Sequence, residues 1–324
     1  MGLSFAVTGA AGFIGSHLVE RLLRDGHRVV GIDSFDTFYD PRLKEANLAP
    51  ALSHASFRLV RGDIRDESAV EAALSGGVDV VVHLAARAGV RPSIQDPLLY
   101  AAVNVDGTTR VLEAARRHGI PRCVLASSSS VYGNNVKVPF SEEDPVEHPI
   151  SPYAATKRAG ELIAHSYHHL FGMDVACLRL FTVFGPRQRP DLAIRKFATL
   201  MVEGREIELY GDGSSARDYT YVDDIVEGVI RAADRVRGFR IWNLGGSHPA
   251  SLADLVGRLA AALGVEAKIK RLPAQPGDVE RTWADISRAA RDLDWSPQVD
   301  LDRGLARFVR WLREARSQAS GAPP

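Results

Sequence analysis

The feature that most constrains the fold is a glycine-rich turn at residues 8–15, with glycines at positions 9, 12 and 15. It follows a short apolar run at 4–8 and opens a stretch at 12–25 with a helical pattern. A strand, a tight glycine turn and a helix in this order place backbone N–H groups where they can hold phosphate. The turn therefore predicts a dinucleotide site, whose candidate contacts are Gly9, Gly12, Phe13, Ile14 and Gly15.

The alternation of strands and helices continues along the chain. It consists of apolar runs at 28–32, 56–61, 78–84, 122–127 and 174–181 and helical patterns at 67–74, at 103–118 and from about 153. Strands that alternate with helices form parallel sheets covered on both faces. We therefore predict an α/β fold with a Rossmann-type, doubly wound parallel sheet of six or seven strands.

Length and composition suit one large domain with a smaller one. The chain has 324 residues, of which 45% are hydrophobic. After residue 180, loops rich in Gly, Pro and Arg separate helical patterns near 193–203, 222–233, 251–263 and 302–315. We assign 1–180 to the nucleotide-binding domain, 181–316 to a smaller C-terminal α/β substrate domain and 317–324 to a flexible tail. A strand at 240–244 is a candidate to return the 222–248 segment to the main sheet.

Charge, cysteine content and the N-terminus argue against several classes of protein. The formal net charge is zero, so no strong basic field recruits nucleic acid. Cys123 and Cys177 lie inside apolar runs, which favours core thiols over a disulfide or a metal site. Gly, Thr and His interrupt the N-terminal apolar stretch, and charged residues follow it. We therefore expect neither a signal peptide nor a membrane span, and a cytoplasmic location.

Later strand ends carry further candidate cofactor contacts. Asp33 ends the second strand, where a carboxylate accepts both hydroxyls of an adenosine ribose and repels the extra phosphate of NADP, so NAD is the predicted cofactor. Asp63 and Ile64 are placed to bracket the adenine, although Asp63 could instead cap the following helix. The fourth strand ends in small residues that allow either cofactor approach or tight packing: Leu84, Ala85 and Ala86.

A tyrosine and a lysine four residues apart provide the clearest chemical signal. Tyr153 and Lys157 follow Ser151 and Pro152, a pair typical of a helix start. Four residues make about one helical turn, so both side chains share a face. A free phenol loses its proton near pH ~10, but an adjacent ammonium and a positively charged nicotinamide both favour the phenolate. Tyr153 is therefore a candidate general base near neutral pH.

These motifs resemble the extended short-chain dehydrogenase/reductase superfamily, over residues 3–312. Its members combine the glycine turn and the Tyr-x-x-x-Lys pair on an NAD-binding domain with a sugar-nucleotide domain. Within it, four segments are similar to UDP-glucuronate 4-epimerases, namely HLAARAGVR at 83–91, ASSSSVYG at 126–133, LFTVFGPRQRPD at 180–191 and QPGDV at 275–279.

The resemblance implies a catalytic set of Ser128, Tyr153 and Lys157, in which Ser128 bonds the sugar O4. Related dehydratases carry an Asp and a Glu where this chain has Ser129 and Ser130, and hydroxyls cannot supply that acid and base.

The resemblance also implies positions for the substrate. Thr182 replaces the asparagine usual in epimerases of uncharged hexoses, and with Arg189 it suits a sugar carboxylate. Arg187 competes for that role, and Arg189 could instead be an exposed loop arginine. The positions that resemble UDP contacts are Tyr210, Arg217, Asp278 and Arg281. Arg217 could alternatively pair with Asp218 or Asp223, and Arg87 and Pro92 depart from the expected glutamine and aromatic residue.

The function implied is NAD-dependent inversion of C4 of UDP-glucuronate, through a 4-keto sugar, to UDP-galacturonate. Alternatives are a UDP-glucose or UDP-N-acetylglucosamine 4-epimerase, a UDP-glucuronate decarboxylase, or a non-catalytic NAD-sensing protein, which the retained catalytic set disfavours. The helices near 103–118 and 153–170 resemble those that pair in homodimers of the superfamily. We expect no metal.

Overall fold

A seven-stranded parallel sheet forms the centre of the molecule. The computed structural model describes residues 2–273 and 279–320. The strands are β1 (Ser4–Thr8), β2 (Arg28–Asp33), β3 (Phe57–Arg61), β4 (Val80–His83), β5 (Arg122–Ser128), β6 (Asp174–Leu180), β7 (Thr182–Phe184), β8 (Ile207–Tyr210), β9 (Ala216–Tyr221), β10 (Phe239–Leu244), β11 (Pro249–Ser251) and β12 (Ile269–Leu272). The central sheet has the order β10-β6-β5-β4-β1-β2-β3. The predicted doubly wound sheet is confirmed, and the strand predicted at 240–244 pairs with β6 at its edge.

Helices cover both faces of this sheet. The helices of the described part of the chain, some of which pack in its second part instead, are α1 (Phe13–Arg24), α2 (Pro41–Leu52), α3 (Glu67–Leu74), α4 (Val90–Gln95), α5 (Pro97–Ala101), α6 (Thr108–Arg117), α7 (Pro152–Phe171), α8 (Ala193–Val202), α9 (Val222–Arg235), α10 (Leu252–Leu263), α11 (Ser287–Leu293) and α12 (Leu301–Ser320). Side chains alternate between faces along a strand. In β4, Val80 and Val82 join the core beneath α1 and α9, and Val81 joins the core beneath α3, α6 and α7.

The second part of the chain contains two small sheets. One has the order β11-β9-β7 and the other pairs β12 with β8. The sequence predicted the helices α8, α9, α10 and α12, but not these strands, because three to six residues carry too little periodicity. It also missed α2, whose Pro41 and Pro50 read as breakers although Pro41 occupies a permitted first-turn position.

Two sequence-based expectations concern the C-terminus and the cysteines. Helix α12 continues to Ser320, residues 321–324 lie outside the described part, and the flexible tail at 317–324 stays a prediction. Cys123 and Cys177 are free, buried thiols, and burial raises the pKa of Cys123 to about 12. Among the described residues, no helix combines the length and apolarity needed to cross a bilayer, and no group of metal-binding side chains occurs.

Helix α7 begins and ends where its sequence indicates. The Ser151 side chain accepts a hydrogen bond from the Ala154 backbone N–H at 3.1 Å, and Pro152 follows in the first turn. The helix ends at Gly172, which adopts the left-handed conformation with φ of 69°. The cap and the terminal glycine therefore fix the register of the helix that carries Tyr153 and Lys157.

A buried ion pair holds α7 against the sheet. Arg179 on β6 donates from Nε to Glu161 Oε1 and from Nη2 to Oε2, both at 2.9 Å, and each side chain is only 1% exposed. Ser127 on β5 donates to Glu161 at 2.6 Å, and Arg179 donates to the Tyr132 hydroxyl at 3.0 Å. Burial alone would raise the pKa of Glu161, but its bonds to Arg179, Ser127 and Arg158 outweigh burial and lower it.

We predict that Glu161→Gln costs about 3–5 kcal/mol of unfolding free energy, because Arg179 is left buried without a counter-charge. The pKa of Glu161 lies below its ordinary 4.5 in the folded state, so its stabilisation is present above that pH and is lost as the pH falls through the folded value. Denaturant unfolding at neutral and acid pH measures both effects. Glu45→Gln, whose partner Arg61 is 58% exposed, is the control and should cost about 0–1 kcal/mol. Equal losses in the two variants would contradict the prediction.

Candidate active site

One cleft of about 530 Å³ contains most of the predicted site residues. It lies at the carboxyl ends of the central strands, where parallel strands bring distant segments to one edge. The predicted residues that line it are Gly9, Gly12, Phe13, Ile14, Gly15, Asp33, Asp63, Ile64, Leu84, Ala85, Ala86, Ser128, Ser129, Ser130, Tyr153, Lys157, Thr182, Arg189 and Arg217.

The glycine turn has no room for side chains. Gly9 has φ of +69°, and a Cβ there would lie 2.8 Å from the Ala85 nitrogen. A Cβ on Gly15 would lie 2.1 Å from the Gly9 carbonyl oxygen. The backbone therefore packs closely against the end of β4 and presents the first N–H groups of α1 to the cleft, an arrangement that suits a pyrophosphate.

Asp33 is buried at the end of β2 with its carboxylate fixed. The Ala11 N–H donates to Oδ2 at 2.9 Å and the Phe35 N–H donates to Oδ1 at 2.8 Å. Burial raises the pKa of Asp33, against the lowering effects of these bonds and of the Lys44 charge. A carboxylate has about four acceptor positions, so two remain for ribose hydroxyls. This placement fits the predicted contact.

Asp63 does not cap the following helix. Asp66 is the cap, accepting from the Ser68 N–H at 2.9 Å, whereas Asp63 accepts from the Arg65 backbone at 2.8 Å and its guanidinium at 2.7 Å. The helix-cap alternative for Asp63 is therefore wrong. Its contact with adenine, together with that of Ile64, stays a prediction.

The catalytic candidates meet in the middle of the cleft. Ser128 ends β5, and its hydroxyl acts on the Tyr153 hydroxyl and lowers its pKa. Lys157 lies one turn further along α7 and donates from Nζ to the Ala126 carbonyl oxygen at 2.7 Å. Ser130 donates to Ser128 Oγ at 2.8 Å, so the Ser128 proton is available to the tyrosine oxygen. Ser129 lines the cleft beside them.

Burial dominates the protonation of this set. It raises the pKa of Tyr153, against the lowering effects of the Ser128 hydrogen bond and the Arg189 charge. It also lowers the pKa of Lys157 to about 8. The protein's own groups therefore do not by themselves make Tyr153 a phenolate at neutral pH. This refines the expectation from the Tyr–Lys spacing, because a further cation facing the phenol is required.

Arg189 and Thr182 form the end of the cleft nearest to the second part of the chain. The Arg189 side chain is 18% exposed and binds Asp191 through Nε at 3.0 Å and Nη2 at 2.8 Å. Its charge lowers the pKa of Tyr153, and both side chains line the cleft. The alternative of an exposed loop arginine is therefore wrong. Asp191 engages one edge of the guanidinium, which leaves Nη1 as the donor for a ligand.

Arg187 faces away from this end of the cleft. Its Nη2 donates to Glu20 on α1 at 2.7 Å, and the Pro186 carbonyl oxygen contacts the His17 ring nitrogen at 3.0 Å. The backbone of Arg187 is left-handed, with φ of +63°. The turn thereby directs Arg187 toward α1 and Arg189 toward Tyr153, so Arg189 is the better candidate for a carboxylate.

The predicted UDP contacts have different placements. Arg217 lines the cleft and donates to the carbonyl oxygens of Ala216 at 3.0 Å and Glu280 at 3.5 Å. The Asp218 carboxylate accepts three backbone N–H groups, from Gly246, Ser247 and Ala284. Among the described residues, Tyr210 and Arg281 are not in the cleft wall, and the Tyr210 ring lies under the Arg91 guanidinium at 5.1 Å. Asp278 lies outside the described residues. These four roles stay predictions.

Several cleft residues were not predicted as site residues. The segment 34–40 between β2 and α2 contributes Asp36, Phe38 and Tyr39, and Arg87 faces it from the end of β4. Behind the cleft wall, the buried Tyr100 on α5 places its ring centre 6.2 Å from that of Tyr153. Of these residues, only Arg87 had a sequence signal, since it stands where a glutamine is expected. A contact between distant loops has no local sequence pattern.

A family model described as the NAD dependent epimerase/dehydratase family matches residues 5–245. The chain belongs to this family. It is 41% identical over 312 residues to UDP-glucuronate 4-epimerase of Thermodesulfobacterium geofontis, with 96% of each chain covered. It is also similar to the structure of UDP-glucuronic acid 4-epimerase from Bacillus cereus in complex with UDP-glucuronic acid and NAD, with TM-score 0.91, 37% identity and coverage of 97% and 100%. The dTDP-glucose 4,6-dehydratase DesIV from Streptomyces venezuelae gives TM-score 0.91, 35% identity and 98% coverage of both chains.

Membership of the NAD dependent epimerase/dehydratase family makes NAD the cofactor of this chain. The site fits it, because the glycine turn is too close-packed for side chains and Asp33 retains acceptor positions. Epimerases and dehydratases share this fold, so the residues at the sugar end of the cleft must decide between the reactions.

Proposed function

We propose that the protein inverts C4 of UDP-glucuronate, giving UDP-galacturonate. The observation that carries the proposal is that Arg189 and Thr182 line the same cleft as Ser128, Tyr153 and Lys157. A guanidinium with a hydroxyl suits a carboxylate, which an uncharged hexose lacks. The similarity to UDP-glucuronate 4-epimerases supports the same substrate.

Tyr153 acts as the base that removes the proton from O4, and Ser128 donates a hydrogen bond to the same oxygen. NAD, when bound, would supply the group that accepts a hydride from C4 and gives it back on the opposite face of the sugar. Lys157 would hold the cofactor ribose, and the positive charge of an oxidised nicotinamide would oppose the effect of burial, which raises the pKa of Tyr153. The sugar must turn over between the two transfers, so binding energy should reside in the UDP contacts, including Arg217.

Other reactions fit the cleft less well. Dehydration needs an acid and a base beyond the tyrosine, and Ser129 and Ser130 supply only hydroxyls. Loss of CO2 from the 4-keto uronate needs the breaking C5–C6 bond to overlap with the carbonyl. Arg189 and Thr182 can hold the carboxylate near the ring plane, where that overlap is poor.

The first test is incubation of purified protein with UDP-glucuronate without added NAD, with products resolved by NMR. We expect UDP-galacturonate with no net NADH, because the enzyme retains its cofactor. Tyr153→Phe should lower the rate about 10²- to 10⁴-fold with bound NAD unchanged. UDP-xylose or a keto pentose as the main product would instead identify a decarboxylase. No turnover would direct the assay to UDP-glucose and its N-acetylated relatives.

The carboxylate role of Arg189 has its own test. Arg189→Ala should weaken the binding of UDP-glucuronate about 10- to 100-fold and leave the binding of UDP-glucose nearly unchanged, because only the acidic sugar loses a charge-assisted hydrogen bond. Titration calorimetry of the NAD-loaded protein measures both ligands. Arg205→Ala is the control, since Arg205 is 67% exposed and pairs with Glu203 at the surface. Equal weakening of both sugars would refute the carboxylate role.

We also propose a homodimer that works in the cytoplasm. Leu162 and Leu170 lie on α7 two turns apart and are 55% and 67% exposed, and α7 packs beside α6. An apolar stripe of exposed leucines on α7, next to α6, suits pairing with the same helices of a second copy. The free thiols of Cys123 and Cys177 suit a reducing compartment.

The dimer is tested by changing this stripe. Leu162→Arg combined with Leu170→Arg should convert a dimer to a monomer in light scattering, because two charges would be buried at the interface. Leu52→Arg is the matched control, since Leu52 is 53% exposed on α2, away from α7. A monomeric wild type, or a dimer unaffected by the double change, would contradict this interface.

A further inference from the structure

The segment 34–40 contacts two arginines that line the cleft, Arg87 and Arg189. The guanidinium carbons of Arg87 and Arg189 lie 5.0 Å and 5.4 Å from the centre of the Phe38 ring, within the range of cation–π attraction. Arg87 Nη1 also forms an ion pair with Asp36 in the same segment. Arg87 therefore binds the segment at two points, and Phe38 in turn contacts Arg189.

The Arg87 side chain is not required for the path of its own backbone. Asn104 accepts from the Arg87 N–H at 2.8 Å and donates to its carbonyl oxygen at 3.0 Å, so these bonds survive a side-chain replacement. Within 2–273 and 279–320, Arg87 Nε is buried without a hydrogen-bond partner. A buried unbonded N–H costs stability. Stability alone therefore does not explain an arginine here, where the sequence pattern led us to expect a glutamine.

We propose that Arg87 is a positioning residue that sets the preference for an acidic sugar. Through Asp36 it holds Phe38 beside Arg189, so that Arg189 keeps one orientation toward the sugar carboxylate. Asp191 fixes one edge of Arg189, and Phe38 limits the movement of the guanidinium from another direction. The inference rests on the proposed function, and it assigns a selective role to a side chain that acts through its neighbours.

The test compares Arg87→Gln, Asp36→Asn and the double variant on NAD-loaded protein. Each single change should raise the dissociation constant and KM of UDP-glucuronate about five- to thirtyfold, leave those of UDP-glucose within about twofold, and change kcat little. The double variant should bind UDP-glucuronate no more weakly than Arg87→Gln alone, because Asp36→Asn removes one of the two contacts that Arg87→Gln already removes. Arg258→Gln, at a surface ion pair with Asp302, is the control for loss of an arginine. Thermal unfolding and bound NAD establish that each variant is folded.

The Asp36→Asn variant distinguishes a positioning role of the Arg87–Asp36 contact from an effect of the Arg87 charge alone. If Arg87 acted only through its positive charge, removal of the negative Asp36 charge would increase the affinity for UDP-glucuronate. That result would overturn the inference. Additive losses, or equal losses for both sugars, would overturn it as well. If the wild type converts UDP-glucuronate and Arg87→Gln binds it equally well, only the inference is refuted. A wild type that does not convert it refutes the proposed function and the inference together.

Discussion

The active site depends on a buried ion pair whose two residues, Glu161 and Arg179, do not line the cleft. Glu161 lies one turn beyond Lys157 on α7, and its carboxylate is bound by Arg179 on β6 and Ser127 on β5. Burying two charges is favourable only with close geometry and further hydrogen bonds, both of which are present here. The pair therefore fixes the helix that carries Tyr153 relative to the strand that carries Ser128.

The chemistry of the cleft follows from where charges lie relative to that fixed helix. Burial raises the pKa of Tyr153, so its use as a base requires positive charge nearby. Arg189 provides part of that charge from the protein, and an oxidised nicotinamide would supply the rest. Because epimerases and dehydratases share the fold, a few side chains at the sugar end must separate the reactions. Hydroxyls at positions 129 and 130 and a guanidinium at 189 favour epimerisation of an acidic sugar.

The sequence predicted the elements whose signals are local. The glycine turn, the cap at Ser151 and the alternation of strands and helices each depend on neighbouring residues, and the structure has all three. The short strands β7, β8, β9, β11 and β12 were missed, because tertiary pairing stabilises segments that have little pattern of their own. Helix α2 was missed because Pro41 and Pro50 argue against a helix in the sequence pattern, although the Asp40 cap is a usable signal.

The sequence by itself determined the fold class, the family and the side chains available for chemistry, since these follow from periodicity and from motifs with fixed local spacing. Only the tertiary structure decided that Arg189 faces Tyr153 while Arg187 faces α1, because a left-handed residue in the turn separates their directions. It also decided that Phe38 meets Arg87. These contacts join segments that are distant in the sequence, and such proximity is set by packing of the sheet rather than by any local preference.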